Sequence, residues 1–295
     1  MTSSLRVSIH QCGVVGAGAM GHGIAHTLLR HGYAVNLYDA SAKALEAAKG
    51  TIAKGLGRDA EKGRLAPDER EKALARLTLA SNPESLARSD IIVEAVTENF
   101  EVKAGVFRAL DKICGNNVIF ASNTSSISIT RLAAVTGRAN RFVGLHFFNP
   151  VPVMKLVEVV AGLETSPETV ETVVALAQSL AKTPVRAQDF PGFVSNRVLM
   201  PMINEAVFCV MEGVAGPQAV DDVMKLGMNH PMGPLELADF IGLDVCLDIM
   251  RALYDGFRDS KYRPCPLLEK MVNAGRLGKK SGCGFHDYSS SAAAH

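Results

Sequence analysis

Neither sign of charge is in excess in this sequence. Lys and Arg total 31 against 30 Asp and Glu, a formal net charge of +1, so the basic field of a nucleic-acid-binding surface is missing. Long apolar runs are missing too. None approaches the roughly 20 residues that a membrane helix needs. The six cysteines, Cys12, Cys114, Cys209, Cys246, Cys265 and Cys283, contain no CxxC pair. Neither a zinc site nor a redox motif is indicated, and a reducing, cytoplasmic setting is expected. Internal repeats are absent. His22 and His26 stand one helical turn apart, but a zincin motif needs a glutamate directly after the first histidine, and Gly23 is there. No metal is expected, and the two histidines read as surface residues. Arg6 followed by Val7 to Met20 imitates a signal peptide in outline, but the glycines of this stretch have a better structural use. A transit peptide is not expected, because the first strand begins close to Met1. The low-complexity tail after Tyr288 is expected to fray.

What is present is an ordinary globular balance: 295 residues, 47% hydrophobic and 21% charged, enough for one large or two modest domains. Cys12 to Val15 is a short apolar run, and Gly16-Ala-Gly18-Ala-Met-Gly21 follows it. Met20, Ile24, Leu28 and Leu29 then recur at helical spacing until Gly32. Ala34 to Tyr38 reads as a second strand ending in Asp39. A lone GxGxxG is weak, but with a strand before it, a helix after it and an acid at the next strand end it marks a dinucleotide site. Gly16 permits the tight turn. Gly18 lets a pyrophosphate approach the helix N-terminus, and Gly21 lets helix and strand pack closely. Asp39 can accept from the ribose hydroxyls and would repel a 2′-phosphate, which favours NAD over NADP.

Further strands are expected at Asp90 to Val96, Asn117 to Ala121 and Phe142 to His146, with a helix over Glu101 to Ile113. This alternation predicts an α/β fold with a parallel, doubly wound Rossmann-type sheet. Between Asp39 and Asp90, Ser41 to Gly63 and Pro67 to Leu77 read as an inserted, charged helical pair. It carries Lys54, Arg58 and Lys62 on one face. Spacing alone makes that stripe a solvated face, with Asp59 and Glu61 nearby; a second phosphate-bearing ligand is the other reading. After Phe193 the strand signals fade. Helices are expected over Val194 to Met211, Pro217 to Leu226, Pro234 to Tyr254 and Pro266 to Ala274. Asp189-Phe-Pro-Gly192 is the expected boundary, giving a Rossmann domain over 1–190 and an all-α domain over 191–288.

Met154 to Val160 is strand-like and carries Glu158 between apolar neighbours. A buried carboxylate needs a partner. His146 ends an apolar strand upstream, and Pro150 and Pro152 mark a turn that can lay the two strands side by side. A His–Glu pair suits alcohol oxidation: the imidazole takes the hydroxyl proton as hydride departs, and the carboxylate stabilises the imidazolium. The plainer alternative is a histidine bonded to backbone and a glutamate at a strand edge. Asn123-Thr-Ser125-Ser126 follows a strand, where open α/β sheets bind ligands, although local sequence alone reads it as a polar turn. Asn196 opens the first helix of the second half and by itself need be no more than a helix-terminus residue.

The motifs GAGAMG, VEAVTEN, ASNTSSIS, HFFNPVPVMKLVEV, PGFVSNR and NHPMGPLELAD, in this order, resemble the 3-hydroxyacyl-CoA dehydrogenases over nearly the whole chain. The resemblance implies His146 as catalytic base with Glu158 as its charge partner. It implies Ser125 as a hydrogen-bonding partner of the substrate hydroxyl and of the histidine, and Asn196 as a polar group near the reacting acyl portion. Asp39 matches the adenine-ribose acid; Glu98, Lys103 and Asn149 match positions near the nicotinamide half, and Lys280 a C-terminal NAD contact. It places CoA on the helical pair, with Lys62 as a contact and Lys54 compensating for Gly55, where the family often has a polar residue. It further implies a homodimer through the helical domain and short, chiefly C4, substrates. A dehydrogenase of free hydroxy or sugar acids, as in the related lambda-crystallin group, is the alternative; a non-enzymatic NAD-binding protein is a third.

Overall fold

The computed structural model describes residues 8–66 and 68–289. The tail beyond Ser289, Pro67 at the head of the second inserted helix, and Arg6 and Val7 lie outside them. Contacts divide the chain into two compact units, Met1–Phe190 and Pro191–His295.

In chain order the first unit contains β1 (Gln11–Val15), α1 (Ala19–Arg30), β2 (Ala34–Tyr38), α2 (Ala42–Glu61), α3 (Glu69–Ala75), β3 (Leu77–Ala80), β4 (Ile91–Glu94) and α4 (Phe100–Ile113). It continues with β5 (Ile119–Ser122), α5 (Ile129–Ala133), β6 (Phe142–Phe147), β7 (Leu156–Ala161), α6 (Pro167–Ser179) and β8 (Thr183–Gln188). The strands form one sheet in the order β3-β2-β1-β4-β5-β6-β7-β8. Pairing is parallel through β6. There the sheet reverses: β7 runs antiparallel to β6, and β8 runs parallel to β7. The expected parallel, doubly wound sheet holds through β6, and the turn expected between the strands of His146 and Glu158 makes the antiparallel pair at this edge. A turn of eight residues (148–155) joins β6 to β7, far too short for a crossover helix. The central strands are buried along their length, which is why they read as continuous apolar runs.

Two strands escaped the sequence reading. β3 begins at Leu77, the last residue of the helix expected over Pro67 to Leu77; the helix stops at Ala75. β8 is an edge strand in which only Ala187 is buried and Thr183, Val185, Arg186 and Gln188 are exposed, so it has no apolar pattern to see.

The second unit contains α7 (Ser195–Met211), α8 (Pro217–Asp222), α9 (Pro234–Ile241), α10 (Leu243–Phe257) and α11 (Pro266–Asn273). Its core is built from α7, α9, α10 and α11, with Ile203, Val207, Leu235, Leu247, Met250 and Leu268 buried. The single helix expected over Pro234 to Tyr254 is two. Gly242, at φ +106°, breaks it, a conformation that residues with a Cβ adopt only under strain. The helix expected over Pro217 to Leu226 ends at Asp222 and gives way to a five-residue π-helical turn, Val223–Gly227. Two buried carboxylates fasten the unit's C-terminal segment. Asp221 accepts from Leu235 N, Glu236 N and His286 Nε2, and Asp239 accepts from the backbone of Phe285 and His286.

Candidate active site

The turn after β1 is shaped by what cannot fit there. Gly16 has φ +100°, and a Cβ on it would lie 2.7 Å from Ala95 O, at the end of β4. A Cβ on Gly21 would lie 1.7 Å from Gly16 O. Gly18 is different: a Cβ there would meet nothing within 4 Å. The space beside Gly18 is open, and Gly18 caps α1 without any side-chain bond to the first-turn N–H groups. Unsatisfied donors facing open space are what a pyrophosphate requires. Asp39 follows β2, and its Oδ2 accepts from Ala17 N at 2.7 Å while Oδ1 accepts from Ser41 N. The acid thus clamps the turn with one lone pair on each oxygen and retains others for ribose hydroxyls.

Beyond β4 and β5 lies a charge network that the sequence reading largely missed. Glu94, at the end of β4, is fully buried. Its Oε1 accepts from Lys103 Nζ at 2.7 Å and from Val96 N, and its Oε2 from Ser122 Oγ at 2.6 Å. Burial still pushes the Glu94 carboxyl upward, against Lys103 and these hydrogen bonds. Lys103 is 1% exposed and also reaches Glu98 Oε2 at 3.2 Å. Glu98 Oε1 in turn accepts from Thr124 Oγ1, Ser125 N and Ser126 N. Burial works to raise the Glu98 carboxyl, but Lys103 and those donors outweigh it and hold it below the usual range. The network therefore fixes the Asn123–Ser126 loop. Glu94 carried a legible signal: it is a lone carboxylate in an apolar strand, as Glu158 is.

His146 and Glu158 are direct partners in the β6–β7 ladder, so both side chains project on the same face. His146 Nδ1 and Glu158 Oε2 are 2.8 Å apart; His146 is 7% exposed and Glu158 1%. A carboxylate is only an acceptor, so Nδ1 carries the proton and Nε2 is the nitrogen that can take another. Phe147 N donates to Asn123 Oδ1 at 2.9 Å, which ties the Glu98-held loop to the strand bearing His146.

After β6 comes the turn with a cis Asn149–Pro150 peptide. It walls a cavity of about 290 Å³ with His22 and His26 of α1 and Thr51, Lys54 and Arg58 of α2. The basic stripe is thus divided. Lys54 and Arg58 line this cavity, and both also line a groove shared with Arg70, whereas Lys62 is the exposed C-cap of α2 and lines neither. His26 is not the surface residue expected. It is 7% exposed, and its Nε2 lies 2.9 Å from Asp59 Oδ2. Asp59, also buried, binds Arg30 and Arg64 as well. A Cβ on Gly55 would lie 2.6 Å from the His26 ring, so the missing side chain at 55 makes room for this imidazole. In the second unit, Asn196 is buried in the first turn of α7, and Lys280 Nζ pairs with Asp244 at 2.6 Å.

A glycine turn at the switch of strand order, an acid after the next strand and a pyrophosphate seat at α1 define the class as an NAD-dependent oxidoreductase. Family models narrow it. The NAD-binding domain of 3-hydroxyacyl-CoA dehydrogenase matches residues 11–190, and the C-terminal domain of the same family matches residues 192–288. The chain belongs to the 3-hydroxyacyl-CoA dehydrogenase family. It is 57% identical to a probable 3-hydroxybutyryl-CoA dehydrogenase of Bacillus subtilis, over 96% of this chain and 98% of that one. It is 49% identical to a 3-hydroxybutyryl-CoA dehydrogenase of Bradyrhizobium diazoefficiens, over 95% and 96%. The crystal structure of (S)-3-hydroxybutyryl-CoA dehydrogenase from Ralstonia eutropha superposes with a TM-score of 0.92 at 51% identity, covering 95% of this chain and 99% of that one.

Proposed function

We propose that this chain interconverts (S)-3-hydroxybutyryl-CoA and acetoacetyl-CoA, with His146 as acid and base and Glu158 as the group that orients and charge-balances it. The 2.8 Å His146–Glu158 pair carries the reading. In oxidation, His146 Nε2 takes the proton of the substrate hydroxyl and Glu158 stabilises the resulting imidazolium at Nδ1. In reduction, the imidazolium returns the proton to the developing alkoxide. Bound NAD supplies the hydride acceptor and donor. Ser125, placed by Glu98, hydrogen-bonds the substrate hydroxyl, and Asn196 serves the acyl portion. Gly16, Gly18, Gly21 and Asp39 hold the adenosine and pyrophosphate half. Glu98 and Lys103 act by shaping the loop near the nicotinamide, and Asn149 and Lys280 complete the cofactor contacts.

Lys54, with Arg58, offers charge to the CoA phosphates, and Lys62 extends that field past the helix end. This favours a CoA ester over a free hydroxy acid, which has no phosphates for those cations. We further propose a division of labour between residues 1–190, which bind NAD, and 191–288, which bind substrate and form a homodimer. A cytoplasmic setting is part of the same reading. Among the described residues no helix is long and apolar enough to cross a membrane. The test is NADH oxidation with acetoacetyl-CoA beside free acetoacetate. Turnover with the ester and little with the acid is expected; turnover with the acid alone would refute the proposal.

A further inference from the structure

Lys182 lies between α6 and β8, outside every motif used so far. Its ammonium is buried, yet among the described residues no carboxylate meets it. Nζ donates instead to two backbone carbonyls, Val151 O at 2.5 Å and Met154 O at 2.7 Å. The charge that acts on it is the like charge of Arg30, at the end of α1; His31, beside it on the same helix end, is the other titratable group in its field. A buried cation without a counter-charge is costly, and this one is spent on a turn.

The local backbone aims it there. Ala181 adopts φ +53°, a left-handed conformation unusual for alanine. Ala181 N donates to Gln178 O and Lys182 N to Ala177 O, the paired bonds of a Schellman helix ending. That ending turns the chain sharply after α6, and Thr183 N then bonds Lys155 O to start β8. The turn that Lys182 grips is the one after His146 and Asn149. Val153 N and Met154 N both donate to Pro150 O, and Val151 is buried against Gly23 of α1, where a Cβ would lie 3.0 Å away. Asn149 to Val153 is one wall of the cavity that Lys54 and Arg58 line.

We infer that Lys182 is a positioning residue for acyl-CoA binding: its ammonium clips the carbonyls of Val151 and Met154 and so fixes the wall that carries Asn149. The inference rests on the cavity taking the CoA ester. Two ammonium-to-carbonyl bonds are charge-assisted, and loss of the proton weakens them. Burial, helped by Arg30, lowers the Lys182 amine to about 8. The clip therefore loosens as pH rises through that value. Global stability moves the opposite way. The unfolded chain holds the lysine proton up to its ordinary value near 10.5 while the folded chain sheds it first, so stability rises over this range.

The experiment pairs kinetics with amide exchange on the full chain. For Lys182→Met, the KM for acetoacetyl-CoA should rise about tenfold, with kcat changed less. The wild-type KM should rise as pH climbs through about 8, and that rise should be absent from the variant. In the wild-type protein alone, protection of the Val153 and Met154 amides should fall between pH 7 and pH 9, after correction for intrinsic exchange, while the midpoint of unfolding does not fall. Unchanged protection at those two amides, or a Lys182→Met variant with the wild-type KM and pH profile, would overturn the inference. Should the ester not be turned over at all, the proposed substrate fails, and the exchange result still decides the clip.

Discussion

A histidine whose Nδ1 proton is held by a carboxylate exchanges protons with a substrate at Nε2, and the role proposed for His146 follows from that geometry. Replacing His146 by Gln should lower kcat by about 10²–10⁴ while NADH still binds, read by fluorescence titration; near-normal turnover would remove His146 as the base. The glycines permit a sharper contrast. A Cβ at Gly21 collides with the backbone oxygen of Gly16, but a Cβ at Gly18 meets no protein atom. Gly21→Ala should therefore lower the melting temperature. Gly18→Ala should fold with wild-type stability and lose affinity for NADH, because the methyl occupies the pyrophosphate's space. Equal effects of the two on stability would contradict this division. These residues were legible because their chemistry is local: a glycine turn, a strand before it and an acid after it announce themselves within a short stretch. His26 and Asp59 were not. Each looks like a solvated charge, and only the packing of α1 on α2 brings them to 2.9 Å.

At the scale of elements, the sheet holds two buried carboxylates and solves their desolvation differently. Glu158 meets a histidine on the neighbouring strand, and Glu94 meets Lys103 from α4. Lys103→Met would leave Glu94 without its counter-charge at a fully buried position, and breaking such a pair costs about 3–5 kcal/mol. Urea unfolding should show that loss, and adding Glu94→Gln should recover part of it, since the amide oxygen can still accept from Val96 N. A double variant no more stable than Lys103→Met would mean that charge is not the cause. Sequence reasoning gave Glu158 a partner because a turn and an upstream histidine were visible. It passed over Glu94, whose partners lie on α4 and β5. It could not see Lys182 either, because that ammonium binds carbonyl oxygens, which every residue has. The missed strands share a cause: β3 sits at the end of a helical propensity run, and β8 packs too little of itself to show alternation.

For the whole molecule, acid sensitivity follows from burial. Burial lowers His26, outweighing the pull of Asp59, and lowers His31 as well. Both stay neutral in the folded chain at a pH where the unfolded chain takes up protons. Stability is thus fully present above the unfolded value near 6.5 and is lost as pH falls below it. The melting temperature should drop between pH 7 and pH 5, and less steeply in His26→Gln. An equal slope in that variant would assign the loss elsewhere. The second unit leaves Val198, Val214, Val223 and Leu226 between 61% and 86% exposed, apolar side chains that the proposed dimer would cover. Sedimentation should give twice the monomer mass of 31.4 kDa, and Leu226→Glu should shift it toward the monomer. A wild-type monomer at micromolar concentration would refute the dimer.

The facing positions of His146 and Glu158 on neighbouring strands impose a rule of parity on the segment 148–155 between them. Because a strand turns over at each residue, moving β7 by one step would send its carboxylate to the opposite side of the sheet, while moving it by two would keep the side and lose the partner. The length of that segment is therefore constrained whatever its side chains, and single-residue insertions or deletions there should abolish turnover.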